Sequence, residues 1–318
     1  MDRASIELPG NTLALGLDAG GTATRWCLVD GHGTELERGV APGFSATQLG
    51  TLEQPLLDAA LAETATEVTK VARGRPLRIA GGLTGFDGSP LEAPGPLHAH
   101  IARAFGLPAS SVRLMSDIEL ACRATFAPGH GILVMAGTGS IAAHLRAGGE
   151  LERAGGRGSL LDDGGSGYWI AREALRAVWR REDSSPGAWQ RSALAQALFA
   201  QLGGSTWART REFVANAARG EFGALATAVA AAAQQGDADA QLILHRAGVE
   251  LARLALALTS RCGAQPVALA GRVPALGERI AKALRESLAP GTPLTLVQPE
   301  AALAAAQYAA GRATAPAE

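Results

Sequence analysis

The chain has 318 residues, 47% of them hydrophobic and 19% charged, which excludes a peptide hormone, a disulfide-stapled miniprotein and a globally disordered polymer. Its 29 basic and 30 acidic side chains leave a net charge of −1, so no global field favours nucleic acid or an anionic membrane. Three scattered cysteines, Cys27, Cys122 and Cys262, argue against a disulfide framework and a cysteine zinc site and for a reducing compartment. The opening MDRASIELPGNT has no basic stretch followed by an apolar run, and no later run approaches the ~18 apolar residues of a membrane span. The expectation is a cytoplasmic protein with neither a nucleic-acid nor a membrane partner. Composition does not explain the 40 glycines, which weaken regular elements and must serve turns or close backbone approaches.

In chain order, strands are predicted over 12–17 and 24–29 around the loop Gly20-Gly21-Thr22, with a third over 35–40 after the Gly31-His32-Gly33 turn. Apolar residues at three- and four-residue intervals predict a helix over 51–72. Short buried strands at 77–80 and 112–115 follow, separated by a helix near 98–105, and a polar pair, Ser116-Asp117, precedes a helix over 119–126. The opening pattern then returns as strand 131–135, loop Gly137-Thr138-Gly139-Ser140, strand 141–146, a Gly148-Gly149 turn and strand 150–153. Thr22 and Thr138 stand about one domain length apart, so the repetition reads as a duplicated domain rather than a solenoid. Helices are expected over 166–180, 188–202, 206–219, 222–235 and 239–261, the last with a cap region at Asp237. A strand at 267–270, a helix at 276–288, a strand at 294–297, a helix at 300–310 and a frayed tail from Arg312 complete the chain.

A glycine turn between strands lets backbone N–H groups converge on an anion because no Cβ blocks the approach. Each loop alone is a common hairpin; their repetition in matching contexts points to a polyphosphate held by both. Neither is a Walker A loop, since no GxxxxGK[ST] occurs and the only lysines are Lys70 and Lys282. A Rossmann fingerprint fails too, because the glycines lead into a strand rather than a helix. Asp18 and Asp117 end strands, where carboxylates suit magnesium organisation and proton abstraction, but also ordinary turn or helix-cap roles.

Six segments carry a resemblance: LGLDAGGTATR from Leu15, SDIELA from Ser116, GILVMAGTGS from Gly131, GSGYWIAREA from Gly165, AAAQQGDADA from Ala231 and VALAG from Val267. The chain resembles the actin, heat-shock chaperone and sugar-kinase superfamily and, within it, the N-acetylglucosamine kinase and BadF/BadG ATPase family. The resemblance implies an α/β fold of duplicated actin-like (ribonuclease H-like) domains with a central cleft. It places the domains at 1–117 and 118–298, with a helix at 299–311 packing back on the first and a helical insertion at 170–262 in the second. It also implies ATP and Mg2+ as cofactors and transfer of the γ-phosphate to the 6-hydroxyl of N-acetylglucosamine or glucosamine.

By the same resemblance, Asp117 is the general base and Asp18 orients magnesium through water. Gly20, Gly21, Thr22, Thr24, Gly137, Thr138 and Gly139 hold the phosphates, and Gly271 and Arg272 line the adenosine. Ser45, Ser140, Gly156 and Asp163 face the sugar. Four positions depart from the family pattern: Phe44 replaces an expected asparagine, Arg157 a tryptophan, Gly164 a glutamate and Arg272 a glycine. These departures leave N-acetylmuramic acid or another hexose open as the acceptor.

One alternative is a BadF-type activator of a 2-hydroxyacyl-CoA dehydratase, whose iron–sulfur cysteine lies in a Cys-Ala-Ala-Gly-Thr-Gly context. Here Cys122 lies in CRATF on a helix and reads as a buried thiol. A sugar-responsive regulator would need a DNA-reading domain ahead of the first loop, where about a dozen residues stand. His98 and His100 read as helix-surface histidines, Trp169 and Tyr168 as core anchors, and Arg172 with Glu173 as a solvated face. The helices from Thr206 to Arg261 offer apolar surface for a homodimer.

Overall fold

The computed structural model describes residues 12–73, 77–87 and 94–312. They form two compact units, one of residues up to Pro128 together with those from Pro299 onward, the other of Gly129–Gln298. The first unit thus runs past Asp117 to include the following helix. The tail expected after Arg312 lies outside the described residues.

The first unit contains β1 (Leu13–Ala19), β2 (Ala23–Val29), β3 (Glu35–Pro42), α1 (Gln54–Ala72), β4 (Leu77–Leu83), α2 (Pro96–Ala104), β5 (Val112–Ser116) and α3 (Asp117–Thr125). Its sheet has the order β3-β2-β1-β4-β5, with the first three strands antiparallel and β1, β4 and β5 parallel. Strand alternation sorts β1 between two cores. Leu13, Leu15 and Leu17 face a cluster with Leu57, Leu61 and Val68 of α1 and Ile101 of α2. Ala14 faces the opposite cluster with Leu120 of α3.

The second unit repeats the plan with β6 (Ile132–Ala136), β7 (Ser140–Leu145) and β8 (Leu151–Gly155). Then come α4 (Gly167–Ser184), α5 (Ala193–Leu202), α6 (Trp207–Asn216), α7 (Arg219–Ala224), α8 (Ala226–Gln234) and α9 (Ala238–Cys262). After these follow β9 (Val267–Ala270), α10 (Glu278–Ser287) and β10 (Leu294–Leu296). The sheet order β10-β9-β6-β7-β8 is the first sheet's order read from the other end, with β6 in the place of β1 and β9 in the place of β4. Duplication is therefore a property of the topology as well as of the loops.

The last helix, α11 (Ala301–Ala309), returns to the first unit and lies on β1, β2, β4 and α3. Small residues allow it: a Cβ on Gly16 would stand 3.0 Å from the Ala302 carbonyl carbon, so α11 rests its backbone directly on the sheet. Ala304, Ala305, Ala306 and Ala309 fill the rest of that contact.

Three of the helices predicted for the second unit meet breaks, the one expected at 222–235 at Leu225 between α7 and α8. The stretch expected at 188–202 breaks at Ser192, whose hydroxyl caps α5 by accepting from Ala195 N at 3.2 Å, while Asp237 accepts from Leu194 N at 3.0 Å. The stretch expected at 206–219 stops at Asn216, and α7 starts afresh after Ala218, whose N–H donates to Glu221 Oε2 at 2.8 Å. Capping carboxylates thus override the continuous alanine-rich helical propensity.

All three cysteines remain thiols, with Cys27 and Cys122 buried. Burial, with the nearby Glu35 carboxylate, pushes the Cys27 thiol up to about 12, which leaves it an unreactive core residue. His98 accepts from Gly95 N at 3.2 Å and so closes the first turn of α2, and burial lowers its pKa. His100 pairs with Asp58. No helix among the described residues is long and apolar enough to cross a membrane.

Candidate functional site

In the first unit the candidate residues collect where β1, β4 and β5 end. These strands are parallel and in register, Ala19 opposite Leu83 and Leu83 opposite Ser116, so the residues that follow them meet at one edge. Open α/β sheets bind ligands at such carboxyl ends. Past β1, Gly20 N donates to Ala23 O at 3.1 Å and closes the turn, whereas Gly21 and Thr22 are exposed and their N–H groups have no acceptor among the described residues. Two unclaimed amides in a glycine turn are an anion-binding concavity.

Thr84, directly after β4, ties the edge together. Its N–H donates to Ala19 O at 3.0 Å, its carbonyl accepts from Ala46 N at 2.9 Å, and its hydroxyl donates to Asp117 Oδ2 at 2.8 Å. Asp117 Oδ1 accepts from Ile118 N at 2.7 Å, and the residue is exposed at the first position of α3. Each carboxylate oxygen keeps further acceptor capacity.

Asp18, half-buried near the end of β1, has its pKa raised, chiefly by burial and further by the Asp117 charge, with Arg25 across the β1–β2 ladder opposing. Two mutually repelling carboxylates beside free amides suit a hard divalent cation that keeps water and phosphate oxygens as its other ligands. No group of three or more His, Cys, Asp or Glu side chains gathers for a metal among the described residues, so an all-protein cage is not what this edge provides.

Ser45 joins the same edge through its turn: Ala46 is bound to Thr84, Ser45 Oγ lies 2.7 Å from Thr47 Oγ1, and a Cβ on Gly85 would press on the Thr47 methyl at 2.8 Å. Thr24 does not join it. It is fully buried in β2, with a hydroxyl that has no hydrogen-bond partner among the described residues. Phe44, where a polar sugar contact was expected, is a fully buried member of the core against α1.

The second unit builds a loop of the same length. Gly137 N donates to Gly139 O at 2.9 Å, and the carbonyls of Gly137 and Thr138 accept from Gly167 N and Tyr168 N at the start of α4, at 2.8 and 3.2 Å. The carbonyls are thereby turned toward the helix, while the N–H groups of Thr138 and Gly139 find no acceptor among the described residues. Asp163 sits against this loop in a left-handed conformation, φ 57°, almost fully buried, and is ion-paired with Arg219 at the start of α7. A Cβ on Gly139 would stand 3.1 Å from Asp163 Oδ2 and collide with the Arg219 guanidinium.

Ser140 is placed behind the loop, its buried hydroxyl donating to Gly164 O at 2.7 Å, so it holds the Asp163 segment in position. Gly156, φ 69°, donates its N–H to Ser140 O at 3.0 Å and lies against Ile141. Arg157 is exposed. At Gly164 a Cβ would be 2.8 Å from Glu250 Oε2, so the space is already taken from α9.

Gly271 and Arg272 follow β9 as Gly137 follows β6. Gly271, φ 99°, packs so closely on β6 that a Cβ would be 2.8 Å from the Ala136 carbonyl carbon. Arg272 Nη2 donates to Thr138 Oγ1 at 3.1 Å.

The model of the BadF/BadG/BcrA/BcrD ATPase family matches residues 15–309, nearly the whole chain. The chain belongs to that family.

Among solved structures, this ATPase-family chain is similar to a Chromobacterium violaceum protein designated provisionally as an N-acetylglucosamine kinase. The identity is 25% over 95% of this chain and 100% of that one, with a TM-score of 0.69. A Porphyromonas gingivalis protein with the same provisional designation has the same TM-score at 21% identity, over 94% of this chain and 98% of its own. The ROK hexokinase of Thermus thermophilus reaches 0.57 at 19% identity, over 94% of this chain and 97% of its own. The two more distant likenesses establish the fold, an actin-like α/β architecture of two related domains, and nothing finer.

Motif reading of this ATPase missed Thr84, Gly43 and Arg219. The β4–β5 register could have signalled Thr84. Gly43 shows only in space: a Cβ there would be 2.5 Å from Ala23 N, so its absence lets β3 close on the first loop.

Proposed function

We propose that this protein is an ATP-dependent kinase that phosphorylates the 6-hydroxyl of an amino sugar, N-acetylglucosamine or glucosamine. The observation that carries the reading is the exposed Asp117 carboxylate, fixed by Thr84 and Ile118 beside Asp18 and the free amides of Gly21 and Thr22. Similarity to the Chromobacterium violaceum protein supports the acceptor class.

In this reading the proton of the sugar hydroxyl passes to Asp117 as the oxygen attacks the γ-phosphorus, and a carboxylate already orientated by two donors loses little entropy in reaching that geometry. The amides at Gly21 and Thr22, and separately those at Thr138 and Gly139, donate to phosphate oxygens without carrying a side chain into the contact. Asp18 is the residue for Mg2+, through water. When bound, that ion neutralises phosphate charge.

Ser45 and Asp163 are assigned to sugar hydroxyls, the first as a donor and the second as an acceptor whose geometry Arg219 fixes. The test is ADP release measured across N-acetylglucosamine, glucosamine, N-acetylmuramic acid and glucose, with the product's phosphate position assigned by phosphorus–proton NMR. Release stimulated by the amino sugars and a 6-phosphate product support the reading. Release indifferent to sugar, or phosphate on the anomeric oxygen, refutes it.

A further inference from the structure

The structure assigns Arg272 to the phosphate chain of a nucleoside di- or triphosphate rather than to its base: it is the cation of the second glycine loop. This inference rests on the proposed ATP-dependent function and names a residue within it.

Topology brings Arg272 there. β6 and β9 are parallel, with Met135 opposite Ala270, so Ala136 and Gly271 are the next pair and the loop beginning at Gly137 runs beside Arg272. In the first unit Ala19, the last residue of β1, lies opposite Leu83, and Thr84 comes next. Arg272 therefore holds the place in the second sheet that Thr84 holds in the first. Gly271 enforces the approach, since a side chain on it would push the backbone off Ala136.

The chemistry follows from the donor inventory. A guanidinium has N–H donors and no acceptor, so in the 3.1 Å contact Thr138 Oγ1 must accept. Its own hydroxyl proton then points elsewhere and is available to an anion. One loop thus offers two unclaimed amides, an orientated hydroxyl donor and a planar cation with four further N–H groups. That set matches the oxygens of a polyphosphate and offers nothing specific to an adenine edge.

The two lysines and the arginine nearest the loop are committed. Lys70 pairs with Glu67 and Lys282 with Glu286, and Arg219, which lies against Gly139, is paired with Asp163. Arg272 has no carboxylate partner among the described residues. Its charge is therefore available to a ligand, whereas that of Arg219 is already balanced.

The experiment is calorimetric titration of the wild type, Arg272→Gly and Arg272→Lys with ADP, a non-hydrolysable ATP analogue, AMP and adenosine, at two salt concentrations. Because the side chain is exposed, circular dichroism and thermal melting of each variant are expected to match the wild type. Arg272→Gly is expected to weaken ADP and the ATP analogue about tenfold to a hundredfold, as for loss of a charge-assisted hydrogen bond, and to leave adenosine unchanged. Arg272→Lys should recover part of the loss and most of the salt dependence, because it restores charge without the planar fork. Equal weakening of ADP and adenosine would return Arg272 to the base pocket, and unchanged ADP affinity would remove it from the site. Either result leaves the kinase reading standing, whereas a wild type that binds no adenine nucleotide overturns both.

Discussion

The Thr84 hydroxyl donates to Asp117 Oδ2 at 2.8 Å while the Thr84 backbone is bonded on both sides, to Ala19 and to Ala46. Three segments that carry candidate chemistry are thus locked through a single residue: the first glycine loop, the Ser45 turn and the carboxylate. Thr84→Val keeps the shape and removes the donor, so kcat is expected to fall about tenfold to a hundredfold as the carboxylate loses its fixed orientation. Thr84→Ser should retain most activity. Because the residue is exposed, denaturation midpoints should change little, and the informative readout is the kcat pH profile, which shifts only if Thr84 acts through Asp117. Wild-type kcat and an unmoved profile in Thr84→Val would show that the contact is only structural.

Asp117→Asn removes the proposed base without changing the size of the side chain. The expected loss in kcat is about 10²–10⁴-fold with nucleotide affinity preserved, since the amides at Gly21 and Thr22 are untouched. Steady-state kinetics paired with ADP titration measures both. Loss of ADP binding in step with kcat would assign Asp117 to ligand holding instead.

Asp18 pays for its position in stability. Burial, reinforced by Asp117, raises its folded-state pKa above the unfolded value, so the folded protein binds this proton more tightly and the ionised form is destabilising. Asp18→Asn should therefore raise Tm by a few degrees at neutral pH while abolishing metal-dependent activity. The gain should be full above the folded pKa, fade as pH falls through it, and vanish below the unfolded value, where the carboxyl is neutral in both states. Melting curves at neutral and acid pH check the sign; a variant less stable than the wild type at neutral pH would contradict it.

Much of this fold was legible because its signals are local. The two glycine hairpins and the alanine-rich α11 follow from periodicity and turn residues near one another in sequence, whereas the parallel pairing of β1 with β4 and of β6 with β9 joins segments far apart. What escaped depends on long-range placement. Asp237 helps start α5 by accepting from Leu194 N, 43 residues away, Gly43 matters only because β3 folds against the first loop, and Arg219 reaches Asp163 from within the helical insertion. Thr24 and Ser140 are placed by the same strand alternation. Both hydroxyls, expected at ligands, are buried, that of Thr24 without a partner among the described residues and that of Ser140 donating to Gly164 O.

Gly43→Ala probes the first loop without touching a ligand. Its methyl would press on Ala23 N and the Gly20 carbonyl, and both are backbone, which cannot rotate away as a side chain can. The expected cost is about 1–3 kcal/mol of stability, from overpacking, together with weaker ADP binding as the turn shifts. Urea denaturation and ADP titration measure the two effects. Unchanged values in both would mean that β3 can move aside.

The Asp163–Arg219 pair combines an almost fully buried carboxylate with a half-exposed guanidinium, so the two ends are not equivalent. Removing the arginine strands a charge that is expensive to leave unpaired, whereas removing the carboxylate leaves a cation that can reach water. Arg219→Gln should therefore cost more than Asp163→Asn, roughly 1–3 kcal/mol against less than about 1. Asparagine is the correct probe because it tolerates the left-handed backbone that Asp163 adopts, which alanine would strain. The double variant should be more stable than Arg219→Gln alone, because the second change neutralises the orphaned charge. Additive losses in urea denaturation would refute that coupling. If Asp163 also accepts from the sugar, its KM should rise in both single variants while ADP affinity holds, since the free amides of Thr138 and Gly139 do not depend on the pair.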